Sequence, residues 1–229
     1  MKNISILIPY RSDKGPRDVI FNWVKDFYNR LLPEAEICVG CCNTNLFSRS
    51  QAVNNAARKA TGDIFIIADA GIVYDPELIN EAINLLDNHA WIVPYSDIQY
   101  ITEDSTKKLL NTEVIWPIKL ELELNPVSAY IGNITGGLVI IPRKHFESIN
   151  GFDQRFLGWG GEDDAFALSV NTICGHFKRL DRSIYHLWHP PVKTTGNPHY
   201  EMNYSLYTRY AHASNNPEIM RQLILEKKQ

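Results

Sequence analysis

Strand-like and helix-like stretches alternate through residues 4–86, and this alternation constrains the fold more than any other feature. ISILIP (4–9) is an almost unbroken apolar run, the pattern of a strand buried on both faces. Val19, Ile20, Trp23, Val24, Phe27 and Leu31 then recur at helical spacing, with Pro16 suited to a first helical turn. EICVG (36–40) predicts the second strand, and Ser48 to Ala60 a second helix closed at Thr61-Gly62. DIFIIADA (63–70) predicts the third strand, after which Asp75-Pro76 opens a helix carrying Leu78, Ile79, Ala82, Ile83 and Leu86. Connections this short imply a parallel sheet with right-handed crossovers. In such sheets ligands collect at the carboxyl ends of the strands. Those ends are Pro9-Tyr10-Arg11, the Cys41–Asn45 loop and Asp69-Ala70-Gly71.

The rest of the chain is less regular. WIVPY (91–95) reads as a strand, and 97–131 as a mixed stretch with one charged, helix-prone section. GGLVIIP (136–142) predicts a strong strand, followed by a helix over Lys144–Ile149. A polar loop leads to an apolar-periodic helix from about Ala165 to Cys174. His186 to Tyr200 predicts a loop, and Pro217 to Gln229 holds one short helical pattern. Tyr200, Tyr204, Tyr207 and Tyr210 form a stripe at near-helical spacing, read as packing in preference to a sugar platform. Without repeats or a low-complexity linker, the chain is expected to form one compact domain over 1–229.

Composition narrows the class. With 229 residues, 45% hydrophobic and 21% charged, the chain is an ordinary globular protein, not a disordered or fibrous one. A net charge of −3 argues against a general nucleic-acid coat. Cys38, Cys41, Cys42 and Cys174 lack zinc-site spacing and read as thiols of a reducing compartment. No apolar run reaches the roughly 18 residues of a membrane span, and no signal-peptide pattern precedes ISILIPY. The expectation is a cytoplasmic protein without a membrane anchor.

The strongest chemical signal is Gly158-Trp159-Gly160-Gly161-Glu162-Asp163-Asp164. Glycines let a backbone approach a ligand closely, and the Trp offers a flat face to a sugar ring. Three carboxylates follow at a helix start, where the dipole is expected to keep them ionised. An ionised carboxylate beside an apolar platform can take a proton from a hydroxyl. Helix capping alone would explain Asp164 equally well, but capping requires no Gly-Trp-Gly-Gly lead-in.

GGLVIIPRKHFESINGFDQRFLGWGGEDDAF resembles the carboxyl-half signature of the β-1,4-galactosyltransferase family and the related chondroitin-polymerase-like glycosyltransferases. IPYR (8–11) resembles that family's Pro-Phe-Arg motif, and FSRSQAVN (47–54) its Phe-Asn-Arg-Ala segment. The resemblance covers roughly 4–190 in matching order. It implies an α/β, GT-A fold: a Rossmann-like, mostly parallel central sheet with helices on both faces. Residues 1–95 would form the nucleotide-sugar half, 96–190 the acceptor-binding and catalytic half, and 191–229 a loop and helical tail.

The same resemblance implies the site. Pro9, Arg11, Phe47, Arg49, Asn54 and Asp69 would hold the donor, Arg supplying charge-assisted bonds to phosphate. Asp163 or Glu162 would be the base, and Trp159, Gly160 and Gly161 would shape the acceptor and sugar pocket. Asp69 and His186 would hold a divalent cation, Mn²⁺ or Mg²⁺. Gly71 stands in place of the second Asp of the family's Asp-x-Asp, which puts metal dependence in question. His189 follows His186 in the same segment, with the weaker claim to a ligand role. The implied activity is inverting transfer of a hexose from a nucleotide sugar, UDP-linked by resemblance, to a hydroxyl of a glycan, a protein or a modified nucleobase. Two other readings stay open. One is a non-catalytic carbohydrate- or nucleotide-sugar-binding protein, favoured by Gly71 and opposed by the Glu-Asp pair. The other is a sugar-1-phosphate nucleotidyltransferase, for which IPYRSDKG is a poor match.

Overall fold

The computed structural model describes residues 3–126, 135–190 and 196–228. In chain order the elements are β1 (Ile4–Pro9), α1 (Pro16–Leu31), β2 (Glu36–Gly40), α2 (Arg49–Ala57), β3 (Ile64–Ala68), β4 (Ile72–Val73), α3 (Glu77–Leu85), β5 (Trp91–Val93), β6 (Asp97–Tyr100) and α4 (Glu103–Leu110). They continue with β7 (Leu138–Pro142), α5 (Arg143–Ser148), α6 (Glu162–Ile173), β8 (Phe177–Arg179), β9 (Ser183–His186), α7 (Tyr200–Ala213) and α8 (Pro217–Leu225). A six-stranded sheet runs β2-β1-β3-β7-β5-β8, and a three-stranded one β4-β9-β6.

The apolar runs behave as their composition dictates. β1 and β3 pair in parallel, and Ile6, Leu7, Ile8, Ile66 and Ile67 are fully buried between the layers. α1 packs Ile20, Trp23, Val24 and Phe27 inward, each such burial contributing roughly 1.5–3 kcal/mol. Val19, read as part of that stripe, faces solvent instead. Gly40 ends β2 because α2 lies directly on it: a Cβ there would meet Ala52 O at 1.9 Å. That close approach, with Ser48 as N-cap accepting from Gln51 N (3.3 Å), brings Arg49 to the carboxyl edge of the sheet.

The sheet is mostly parallel, as expected: β1 pairs in parallel with β2 and β3, and β5 with β8, while β7 runs antiparallel to β3 and β5. Several element bounds need correction. α2 stops at Ala57 and β3 at Ala68, both short of their predicted ends. α6 begins at Glu162, ahead of the predicted Ala165, because the three acids of its first turn carry no apolar period. The residues from Tyr200 onward form α7. The short strands β4, β6, β8 and β9 give no clear alternation in sequence. Residues 127–131 of the mixed stretch, 191–195 of the predicted loop and Gln229 of the tail lie outside the described residues.

Candidate active site

At the carboxyl edge of the sheet, one guanidinium joins the two halves of the chain. Arg49 leaves the first turn of α2 and is almost enclosed, its side chain 11% exposed. Its Nε donates to Asp69 Oδ1 at 2.9 Å, just past the end of β3, and its Nη1 to Asp163 Oδ1 at 2.6 Å, in the first turn of α6. It also lies over the Phe152 ring. Asp69 is fixed from behind by its own N–H, which donates to Gly137 O at 2.8 Å.

The turn before α6 explains its glycines. Gly158, Gly160 and Gly161 have φ of +70°, +118° and +89°, a region costly for side chains with a Cβ. Gly161 is the N-cap and offers no side chain, so the correction to the capping reading is that no side chain caps α6 from that position. Glu162 is buried and accepts from Gly160 N at 3.0 Å, which closes the turn. Asp163 retains partial access, its side chain 28% exposed, and Asp164 is exposed. Gly136 makes room opposite: a Cβ there would stand 2.6 Å from Asp163 Oδ2.

Burial overrides the helix dipole at this point. Asp163 is pushed up to about 7 by desolvation, with Glu162, Asp69 and Asp164 adding repulsion and Arg49 opposing. Desolvation also raises Glu162 and Asp164. The expectation that the dipole keeps the acids of this turn ionised is therefore corrected for Asp163. A carboxyl tuned to neutral pH suits a proton acceptor better than an ordinary Asp.

Two cavities meet at this wall. The first, about 670 Å³, is lined by Pro9, Arg11, Phe47 and Arg49 among others, and also by Arg17. The second, about 650 Å³, is lined by Gly160, Gly161, Asp163 and the rings of Tyr200, Tyr204 and Tyr207. Asp69, Trp159, Glu162 and His186 line both. Arg11 Nη1 donates to Thr44 O (2.8 Å) and Asn45 O (3.2 Å), and its guanidinium lies over the Phe47 ring.

Asn54 does not join them. It is buried, its Nδ2 donating to Phe152 O at 2.8 Å and its Oδ1 accepting from Phe152 N at 3.0 Å. Both ends of the amide are spent on the backbone ahead of the glycine turn, so the donor-contact reading of Asn54 is corrected to a structural one.

His186 ends β9 and is held neutral, pushed down to about 4 by burial and by the neighbouring His189. A Cβ on Gly71 would stand 3.6 Å from His186 Nε2, so the missing carboxylate of the Asp-x-Asp pattern would have pointed at this ring. Among the described residues no three His, Cys, Asp or Glu side chains converge as a ready-made metal cage. The donors present, one carboxylate and one neutral imidazole, fit a cation that takes its remaining ligands from a substrate's phosphates. Asp75, by contrast, accepts from Glu77 N at 3.0 Å and belongs to the start of α3.

The sequence reading missed two groups. Arg17, in the first turn of α1, lies 3.0 Å (Nη2) from His189 Nδ1 on the wall of the first cavity. Its closeness to Arg11 in the chain was the available signal. Tyr200 and Tyr204 are 52% and 55% exposed, so the packing reading holds for the fully buried Tyr210 and for Tyr207, which is half-buried against the core, and not for the other two.

Known proteins align with these features. The family model described as glycosyl transferase family 2 matches residues 23–149, more than half of the chain. The model described as N-terminal domain of galactosyltransferase matches 121–191. β-1,4-Galactosyltransferase 7 of Mus musculus is 32% identical over 74 residues, 32% of this chain and 19% of that protein. The Drosophila melanogaster protein of the same name is 38% identical over 48 residues, 21% of this chain and 15% of that one. The matched stretch thus spans less than a fifth of these relatives.

Among solved structures, a Drosophila β-1,4-galactosyltransferase 7 variant in complex with manganese, UDP-Gal and xylobiose superposes with a TM-score of 0.58 at 15% identity, covering 89% of this chain and 79% of that one. S. aureus TarS 1–349 in complex with UDP-GlcNAc gives 0.60 at 13% identity, covering 100% and 72%. The fold is GT-A. Among the described residues no helix is long and apolar enough to cross a membrane.

Proposed function

The chain belongs to glycosyl transferase family 2, and from that premise we propose that it is an inverting transferase moving a hexose from a UDP-sugar to an acceptor hydroxyl. The observation that carries this reading is the Arg49 bridge between Asp69 and Asp163, at the wall shared by a cavity with three arginines and an acidic, aromatic one. The UDP-sugars held by the structural neighbours support UDP as the carrier.

In this reading the diphosphate lies in the first cavity, where Arg11, Arg17 and Arg49 offer charge-assisted hydrogen bonds, and the base lies near Pro9 and Phe47. The acceptor enters the second cavity beside Trp159. Asp163 takes the proton from its hydroxyl, and the oxygen forms a bond to the anomeric carbon. The bond from that carbon to the β-phosphate oxygen breaks on the opposite face. UDP leaves with the electron pair, and the configuration inverts. Glu162, tied to Gly160 N, holds the turn that aims Asp163. Asp69 and His186 would hold a divalent cation, Mn²⁺ or Mg²⁺, which when bound neutralises the leaving diphosphate. Residues 1–95 supply most of the donor side and 96–190 the base. The tail adds the tyrosines of the acceptor side.

The test is a thermal-shift and hydrolysis screen of nucleotide sugars with and without Mn²⁺. The expected result is stabilisation by one UDP-hexose and slow, metal-stimulated release of UDP. Binding without release, even with acceptors supplied, would favour the non-catalytic binding protein. No binding by any nucleotide sugar would defeat the proposal.

A further inference from the structure

The second cavity has a composition of its own. Its carboxylates are Asp69, Glu162, Asp163 and Asp164, and no Lys or Arg is among the described residues that line it. Opposite them, α7 presents Tyr200 and Tyr204, one helical turn apart. Their rings are parallel to within 10° with centroids 6.4 Å apart, and Tyr207 follows at 6.4 Å from Tyr204. Trp159, 56% exposed, stands on the same cavity.

These rings are not merely adjacent. Asn203 is buried, its Nδ2 donating to Leu157 O (3.0 Å) and its Oδ1 accepting from Leu157 N (3.3 Å). Asn197 Nδ2 donates to Leu157 O and Trp159 O, both at 3.0 Å. The tyrosine helix and the Trp159 turn are therefore one assembled wall leading to Asp163. Large rings left open beside carboxylates are what a polyhydroxylated ring needs: flat apolar faces for its C–H face and acceptors for its hydroxyls. A phosphate or uronate chain would meet these carboxylates with no Lys or Arg among the described lining residues to offset them.

We propose that the Tyr200–Tyr204–Tyr207 face of α7, continued by Trp159, is a binding platform for a neutral oligosaccharide acceptor of more than one sugar. This rests on the transferase reading above and names the acceptor class for that site. Nucleic acid is the alternative that aromatic stacking would also allow, and the lack of Lys or Arg among the described lining residues disfavours it.

The test measures binding of neutral β-linked oligomers of glucose, galactose and N-acetylglucosamine, one to four units long. Tetragalacturonate and a single-stranded oligonucleotide serve as anionic controls. Titrations run on the wild-type chain and on Tyr200→Ser/Tyr204→Ser, whose exposed rings can be removed without unpacking the core. The expected result is affinity rising with length in at least one neutral series, by about tenfold from one to four units. The double variant is expected to lose that gain while binding its UDP-hexose unchanged. Affinity independent of length, binding of either anionic control as tightly as the neutral tetramer, or a gain that survives the double substitution would overturn the platform. UDP-hexose binding in the same samples reports on the transferase reading separately: donor bound without length dependence defeats only the platform.

Discussion

The two cavities share a wall and little else. The first is built from the ends of β1 and β3 and the first turns of α1 and α2, and it gathers Arg11, Arg17 and Arg49. The second is built from a glycine turn, the start of α6 and a helix near the end of the chain, and it gathers carboxylates and aromatic rings. Such a division of charge sorts ligands before any specific contact forms, since an anionic diphosphate is attracted to one side and repelled by the other. Arg49 stands on the boundary, and of its two partners Asp69 lines both cavities and Asp163 the second.

If the boundary is also the reaction centre, the two sides should fail separately. Asp163→Asn keeps the shape and the hydrogen bond to Arg49 but removes the proton acceptor. Transfer should fall by about 10³-fold, within the range for loss of a general base, while UDP-hexose affinity stays within about twofold. Steady-state transfer and a donor titration on the same protein decide it. Transfer at the wild-type rate would move the base elsewhere.

A smaller effect is expected on the donor side. Gly71 has ordinary backbone angles, and a Cβ there makes only normal van der Waals contact with His186, 3.5 Å from its Cε1. Gly71→Asp therefore adds a carboxylate beside a neutral imidazole without strain. Mn²⁺ affinity should rise by about tenfold, because hard cations gain from each added carboxylate oxygen. Calorimetric titration of Mn²⁺ into both proteins provides the measurement. Unchanged affinity would show that the cation, if used, is not held between Asp69 and His186.

The same contrast governs what the sequence disclosed. The donor side follows a rule of position: ligands gather at strand ends, and the apolar runs 4–9 and 63–70 locate those ends within two residues. Arg49 was legible through the resemblance of FSRSQAVN to the family's Phe-Asn-Arg-Ala segment, at the start of a predicted helix. The acceptor side has no such rule. Tyr200, Tyr204 and Tyr207 carry a helical period, but a period says which residues share a face, not whether that face meets a core or a ligand. Asn54 misled for the related reason that a buried amide satisfying a backbone and one reaching a substrate look alike in sequence. The antiparallel β7 was hidden too, since an apolar run carries no direction.

The finest comparison concerns Asp163 itself, through the stability of the unliganded protein. Its carboxyl titrates near 7 when folded, against 3.8 for a free side chain. The folded state therefore holds a proton that the unfolded state has released. Stability from this group is intact at low pH and is lost as pH rises from about 4 to about 7. Partial exposure and the Arg49 partner limit the loss to on the order of 1 kcal/mol, which for a chain of this length is roughly 2–4 °C in Tm. Asp163→Asn cannot ionise and lacks this term. Its Tm should exceed that of the wild type at pH 8, and the difference should shrink or reverse at pH 4. A difference that stays constant across that range would mean Asp163 ionises as an ordinary carboxylate. The glycine turn would then expose the base to water more fully than its place behind Glu162 and Gly136 implies.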